Sequence, residues 1–311
     1  MSALVAPTPK APIALRRFAG PLVYADEMTP LRVAHLTDLH VGRVTPYWIQ
    51  EAAVAMTNAA KPDVVVITGD FVCHSQLYLD DLTSLLRTFD APVYAVLGNH
   101  DHWSGSAEVK RAILRGGAEL LENRFTVFES RGQKLQIVGL DDAYTGHADR
   151  EAATRGLSRH LPTLGLSHIA EEADALWTHG IPLVLSGHTH AGQITLARLH
   201  ELAIGRVGGH KYVHGLYGTR STPTSVPGTP TGAVYVGAGI GASVMPVRLG
   251  ERGRREVTLF DYGTRVGSFD EHHREQAPLP GRKPTEAEME KRRKKVADKA
   301  RRRERRANGG H

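Results

Sequence analysis

The sequence predicts a layered α/β fold with mixed β-sheet, and three observations carry that expectation. Short apolar runs rich in β-branched residues alternate with segments of helical periodicity. Turn formers are frequent, with 32 glycines and 17 prolines. A 41% hydrophobic content over 311 residues suffices for a sizeable core.

Taken in order, residues 1–30 read as a lead segment, in which Pro7, Pro9, Pro12, Arg16 and Arg17 break any apolar run well before the ~18 residues a membrane span needs. Buried strands are expected at 31–37, 63–68, 92–97 and 182–186, with helices between them at 47–60, 77–89, 107–114 and 169–179. Further strands at 134–140, 193–196, 233–236 and 256–260 lie close enough in sequence for some to pair antiparallel. The glycine-rich stretch 203–232 reads as a long loop, and 282–311 as a basic tail, helical or disordered, beyond a catalytic domain at 31–281.

Charge is unevenly placed. The tail carries thirteen Lys or Arg against five Asp or Glu, net +8, which leaves −2 of the chain's +6 on residues 1–281. A near-neutral body argues against a duplex-binding groove. The tail is expected to make at most a weak contact with an anionic membrane or nucleic acid, and no contribution to a catalytic site. Cys73 is the single cysteine, so no intrachain disulfide can form. The expectation is a cytoplasmic protein, at most peripheral to a membrane, with no transmembrane segment.

Four polar clusters each follow a predicted strand: Asp38-Leu39-His40, Gly69-Asp70, Gly98-Asn99-His100-Asp101 and Gly187-His188-Thr189-His190. Side chains at the C-terminal ends of neighbouring strands converge on one rim of a sheet, so these distant segments can meet. Carboxylate, imidazole and amide oxygen form a donor set suited to Mn, Fe or Zn rather than Ca, and less to Mg. Any one cluster alone would more often be a turn or a hydrogen-bonded histidine. All four in order leave little room for coincidence.

The ordered set Asp-X-His, Gly-Asp, Gly-Asn-His-Asp and Gly-His-X-His resembles the signature of the calcineurin-like metallophosphoesterases. The resemblance spans roughly residues 31–194 and is joined by Leu166-Ser167-His168. Residues 187–194, Gly237-Ala238-Gly239-Ile240-Gly241 and Pro246-Val247-Arg248 are similar to a bacterial phosphodiesterase branch. It implies a four-layer αββα sandwich and two divalent metal ions per chain. One would be held by Asp38, His40 and His190, the other by Asn99, His168 and His188, with Asp70 bridging. It also implies a metal-bridged water as nucleophile. His100, beside a ligand but not obviously one, is the candidate general acid, and Asp101 either orients it or shapes the loop. Ile169-Ala170-Glu171 departs from the family's Asn-Pro-Asp, and Cys73-His74 replaces the Asp-Arg of protein Ser/Thr phosphatases, which argues against that activity.

The resulting expectation is a phosphodiesterase or phosphatase for a small-molecule or lipid-linked phosphoester. A metal-dependent nuclease and a catalytically silent scaffold are the alternatives. His35, His74, His102, His147, His210, His214, Asp141 and Asp142 read as structural or solvated. Specificity is expected from loops at 103–110, 141–160 and 205–232.

Overall fold

The structure is a computed structural model that describes residues 13–192, 205, 208–220, 232–242, 248 and 250–307, with residues 306 and 307 described without their side chains. One six-stranded sheet runs in the order β1 (Ile13–Ala19), β12 (Arg255–Tyr262), β2 (Leu31–Leu36), β3 (Val64–Thr68), β4 (Val93–Val96) and β5 (Glu119–Leu120). The other runs β10 (Gly215–Gly218), β11 (Ala233–Val236), β9 (Leu183–Ser186), β8 (Thr163–Leu166), β7 (Gln133–Gly139) and β6 (Arg124–Ser130). Both are mixed. β2 to β5 are parallel while β12 is antiparallel to β2. β7, β8, β9 and β11 are parallel, flanked by antiparallel β6 and β10.

The layering follows from how each strand divides its side chains. Val64 and Val66 of β3 pack with Leu135, Ile137, Leu164 and Leu185 of the facing sheet. Their neighbours Val65 and Ile67 pack outward with Ile49, Ala53, Leu82, Leu85 and Ile113. Those residues belong to α1 (Tyr47–Ala59), α2 (Leu79–Leu86) and α3 (Asn99–Arg115). On the far side, Val138 and Val184 pack with Ala153, Leu176 and Trp177 from α4 (Arg150–Thr154) and α5 (Ala173–Thr178). Strands covered on both faces need apolar residues at every position, which is why they read as continuous runs rather than alternations. The result is a four-layer αββα sandwich.

Several elements differ from the sequence expectation. β1 falls within the segment read as a lead, yet pairs with β12 along its whole length. α3 begins at Asn99 inside the third motif, bends at Gly105 (φ 105°) and takes in residues expected to be a loop. β10 lies in the stretch read as a long loop. The strand expected at 193–196 lies outside the described residues. The tail forms α6 (Glu286–Ala307), which packs on α3.

Arg16 hides β1 from a pattern reading, because its buried guanidinium serves a partner from β12. Glu256 accepts from Arg16 Nε at 3.1 Å, from Tyr235 OH at 2.8 Å and from the Ala238 amide at 3.0 Å, and lies 3.2 Å from His214 Nε2. Burial alone would raise this carboxyl, but His214, His273 and Arg16 outweigh it and hold Glu256 well below the usual carboxylate range. Removing one partner of a buried pair strands the other charge. Glu256→Ala is therefore expected to cost about 3–5 kcal/mol in a urea unfolding curve. A loss under about 1 kcal/mol would mean the pair is not holding β1 in the sheet.

Candidate metal centre

Each motif emerges from the C-terminal end of a strand: Asp38 and His40 after β2, Asp70 after β3, Asn99 and His100 after β4, His168 after β8, His188 and His190 after β9. The first three strands belong to one sheet and the last two to the other, so the site straddles the sandwich. The backbone turns sharply here. Asp38, His40, Asp70, His188 and His190 all have φ between 44° and 75°, a left-handed conformation uncommon for residues with a Cβ. Backbone bonds hold it: the Asp38 amide donates to Gly69 O and the His40 amide to Asp70 O, both at 3.0 Å. Gly98 must be glycine, since a Cβ there would run into the Asp70 carboxylate.

The structure brings six of the seven predicted ligands into two adjoining groups. Asp38, His40, Asp70 and His190 form one, and Asp70, His168 and His188 the other, with donor atoms in each within 4.8 Å of one another. In the first, His190 Nε2 lies 3.1 Å from His40 Nε2 and 3.4 Å from Asp38 Oδ1. In the second, His188 Nδ1 lies 3.3 Å from His168 Nε2. Asp70 belongs to both: its Oδ2 is 3.6 Å from His40 Nε2 and 3.4 Å from His168 Nε2, while its Oδ1 accepts from the His100 amide at 2.8 Å.

The donors fit a cation. Asp38 Oδ1 and Asn99 Oδ1 are fully buried acceptors without a hydrogen-bond partner, an arrangement costly unless something positive sits against them. His168 Nδ1 lies 2.8 Å from Thr68 O. As a donor to that carbonyl it leaves the Nε2 lone pair facing Asp70, the usual orientation of a ligating imidazole. Burial disfavours the charged ring, yet Asp70 raises His168 to about 10. Burial also pushes Asp38 up to about 7, with the neighbouring Asp70 charge adding to it and His168 opposing. A cation replaces these protons as the balancing charge.

His100 lies at the site but among rings rather than donors. Its ring centre is 4.8 Å from that of His40, 4.2 Å from His74 and 4.8 Å from Trp103. Burial pushes its imidazole down to about 3, against the pull of Asp70. Asp101 spends its carboxylate on backbone amides instead. Its Oδ1 accepts from the amides of Phe71 and Val72 and its Oδ2 from Gly98, so it ties the β3 and β4 loops together and caps α3. Of the two roles the sequence left open for Asp101, its contacts are those of the loop-shaping one.

A model of the family described as calcineurin-like phosphoesterase matches residues 31–192. The chain belongs to the calcineurin-like phosphoesterases. It is 30% identical over 235 residues to the metallophosphoesterase YkuE of Bacillus subtilis, covering 74% of this chain and 78% of that one. To the phosphodiesterase YaeI of Escherichia coli it is 27% identical over 248 residues, covering 76% and 84%. A bovine transmembrane protein with a metallophosphoesterase domain is 31% identical over 250 residues, covering 72% of this chain and 52% of that one. As a calcineurin-like phosphoesterase the chain is a phosphoester hydrolase of a family that uses divalent metals. No helix among its described residues is long and apolar enough to cross a membrane.

Sequence reasoning passed over the residues that wall this phosphoesterase site. His74 and Trp103 bracket His100, and Tyr144 sits 5.2 Å from His188, ring centre to ring centre. Arg248 brings a guanidinium 3.5 Å from His190 Nδ1. His102 pairs with Asp141 at 2.8 Å, away from the ligand atoms. Only a contact map singles out His74 and Trp103, because neither stands in a repeated spacing with the ligands. Asp101→Ala would leave three buried amides without acceptors and should destabilise the fold by about 1–3 kcal/mol by thermal or urea melting. The folded fraction should keep the wild-type pH profile. An unchanged melt with a displaced acid limb would give Asp101 a part in the proton chemistry instead.

Proposed function

We propose that the protein hydrolyses the phosphodiester or phosphomonoester bond of a small or lipid-linked substrate at a binuclear centre holding Mn, Fe or Zn. In this reading Asp38, His40 and His190 hold one cation, Asn99, His168 and His188 the other, and Asp70 bridges. The observation that carries it is the position of Asp70 Oδ2, which faces a ligand histidine of each group at 3.6 and 3.4 Å. The orphaned oxygens of Asp38 and Asn99 support it as further buried acceptors. When bound, such cations would polarise phosphoryl oxygens and lower the pKa of water toward neutrality.

The chain's own residues do the rest. Asp70 stays ionised: burial pushes its carboxyl up, but His168 above all holds it well below its ordinary value. Asn99 adds an oxygen without cancelling cationic charge. His100 donates a proton to the leaving oxygen. Its burial disfavours the charged ring in the free protein, and the negative charge of a bound phosphoester would favour it. Trp103 and His74 exclude water from that side. A scaffold role is disfavoured because all seven proposed donor residues and His100 are present in the chain.

Protein loaded with Mn should turn over bis(p-nitrophenyl) phosphate and lose that activity to a chelator; no turnover of mono- or diesters with Mn, Fe, Ni or Zn would sink the reading. Asp70→Ala should lose both bound metal and activity. His100→Ala should keep its metal but slow alkyl esters by ~10²–10⁴, with a much smaller deficit for p-nitrophenyl esters, whose leaving group needs no proton. Metal analysis beside the two rates separates these cases, and a metal-free His100→Ala would overturn the acid role.

A further inference from the structure

The tail was expected to stand apart from the site, and it does not. α6 packs on α3 with one face carrying Arg292, Lys295, Lys299 and Arg303, spaced three or four residues apart so that they align along the helix. The Arg292 guanidinium carbon sits 3.9 Å above the Tyr144 ring, and the Lys295 and Lys299 ammonium groups 3.5 and 4.7 Å from the Trp103 ring centre. Lys299 Nζ also lies 3.2 Å from His74 Nδ1, and Arg303 anchors the helix by donating to the Trp103 carbonyl. Beneath these cations, Tyr144 touches His188, and His74 and Trp103 touch His100. A single layer of rings thus separates the cation row from the site.

The row lacks counter-charges. Among the described residues no carboxylate pairs with any of these four, whereas Arg293 on another face of α6 pairs with Glu286 at 3.1 Å and Glu290 at 3.7 Å. Lys299 shows the consequence: burial, with Lys295 and Arg303 beside it, pushes its ammonium down to about 8. Cation–π contacts hold such groups in place without neutralising them. An unpaired row of cations at the rim of a phosphoester site suits a second anionic group on the substrate.

The geometry points to α6 as a substrate-binding element, in which Lys295 and Lys299, flanked by Arg292, bind a second phosphate one step beyond the scissile one. The preferred substrate class is therefore a diphosphate or bisphosphate rather than a simple monoanionic ester. This rests on the phosphoesterase reading above, but binding tests it separately from turnover.

The experiment is calorimetry on the full chain loaded with Mn, measuring the Kd of adenosine 5′-monophosphate and adenosine 5′-diphosphate. The wild type should bind the diphosphate at least about tenfold more tightly. Lys295→Met with Lys299→Met, which keeps the stems packed on Trp103, should shrink the gap to about twofold or less. Lys295→Arg with Lys299→Arg should restore it, which separates lost charge from lost packing. A gap absent in the wild type, or equal in the methionine variant, would overturn the inference. So would tighter binding of both nucleotides in that variant, the mark of a lid that merely obstructs. Vesicles of phosphatidylglycerol form the last arm: binding lost in the methionine variant while the nucleotide gap persists would make the row a membrane contact instead. If the gap behaves as expected but no ester is turned over, the catalytic reading falls and the binding site stands.

Discussion

One buried carboxylate organises the molecule's chemistry. Asp70 stands where the β3 end of one sheet meets the β8 and β9 ends of the other, with one oxygen fixed by the His100 amide and the other turned toward His40 and His168. A carboxylate so buried is tolerable only with positive charge around it. His168, which Asp70 holds in its charged form, supplies that in the free protein, and divalent cations would supply it in the proposed working state. The sandwich matters to function chiefly because it brings the ends of two sheets to that one point.

The convergence has a conformational cost. Five of the proposed ligand residues sit in left-handed backbone conformations, each worth about 1–3 kcal/mol of strain at most. Such strain persists only where the surroundings over-determine it. Here the strands leading into the loops are buried on both faces, by the core between the sheets and by the cores under α1 to α3 and under α4 and α5. Asp101 adds a cross-tie from the start of α3 to the loop after β3. Rigid strands therefore hold short, strained turns, which fixes the donors more tightly than free loops would.

The parts legible in the sequence were those written locally. A buried parallel strand needs an uninterrupted apolar run, and a candidate ligand follows within two or three residues, so β2, β3, β4 and β9 announced themselves and pointed to Asp38, Asp70, Asn99 and His188 as candidates. β1 was not legible because Arg16 and Arg17 stand in its middle, and only the partner Glu256, 240 residues away, explains a buried arginine there. α3 was missed at its start because Gly98-Asn99-His100-Asp101 has loop composition, while its cap depends on contacts to the β3 loop. The docking of α6 escaped for a related reason. Its apolar stripe is too small to predict burial, and what it packs on is aromatic surface met by cations, a pairing that no periodicity of one segment reveals.

The central claim is that Asp70 is shared by a pair of cations. Anomalous diffraction from crystals of the Mn-loaded protein tests it most directly. The account predicts two peaks about 3.5–4 Å apart, one among Asp38, His40 and His190, the other among Asn99, His168 and His188, with Asp70 between them. A lone peak, or one among His214, Glu256 and His273, where three donors also converge, would contradict it.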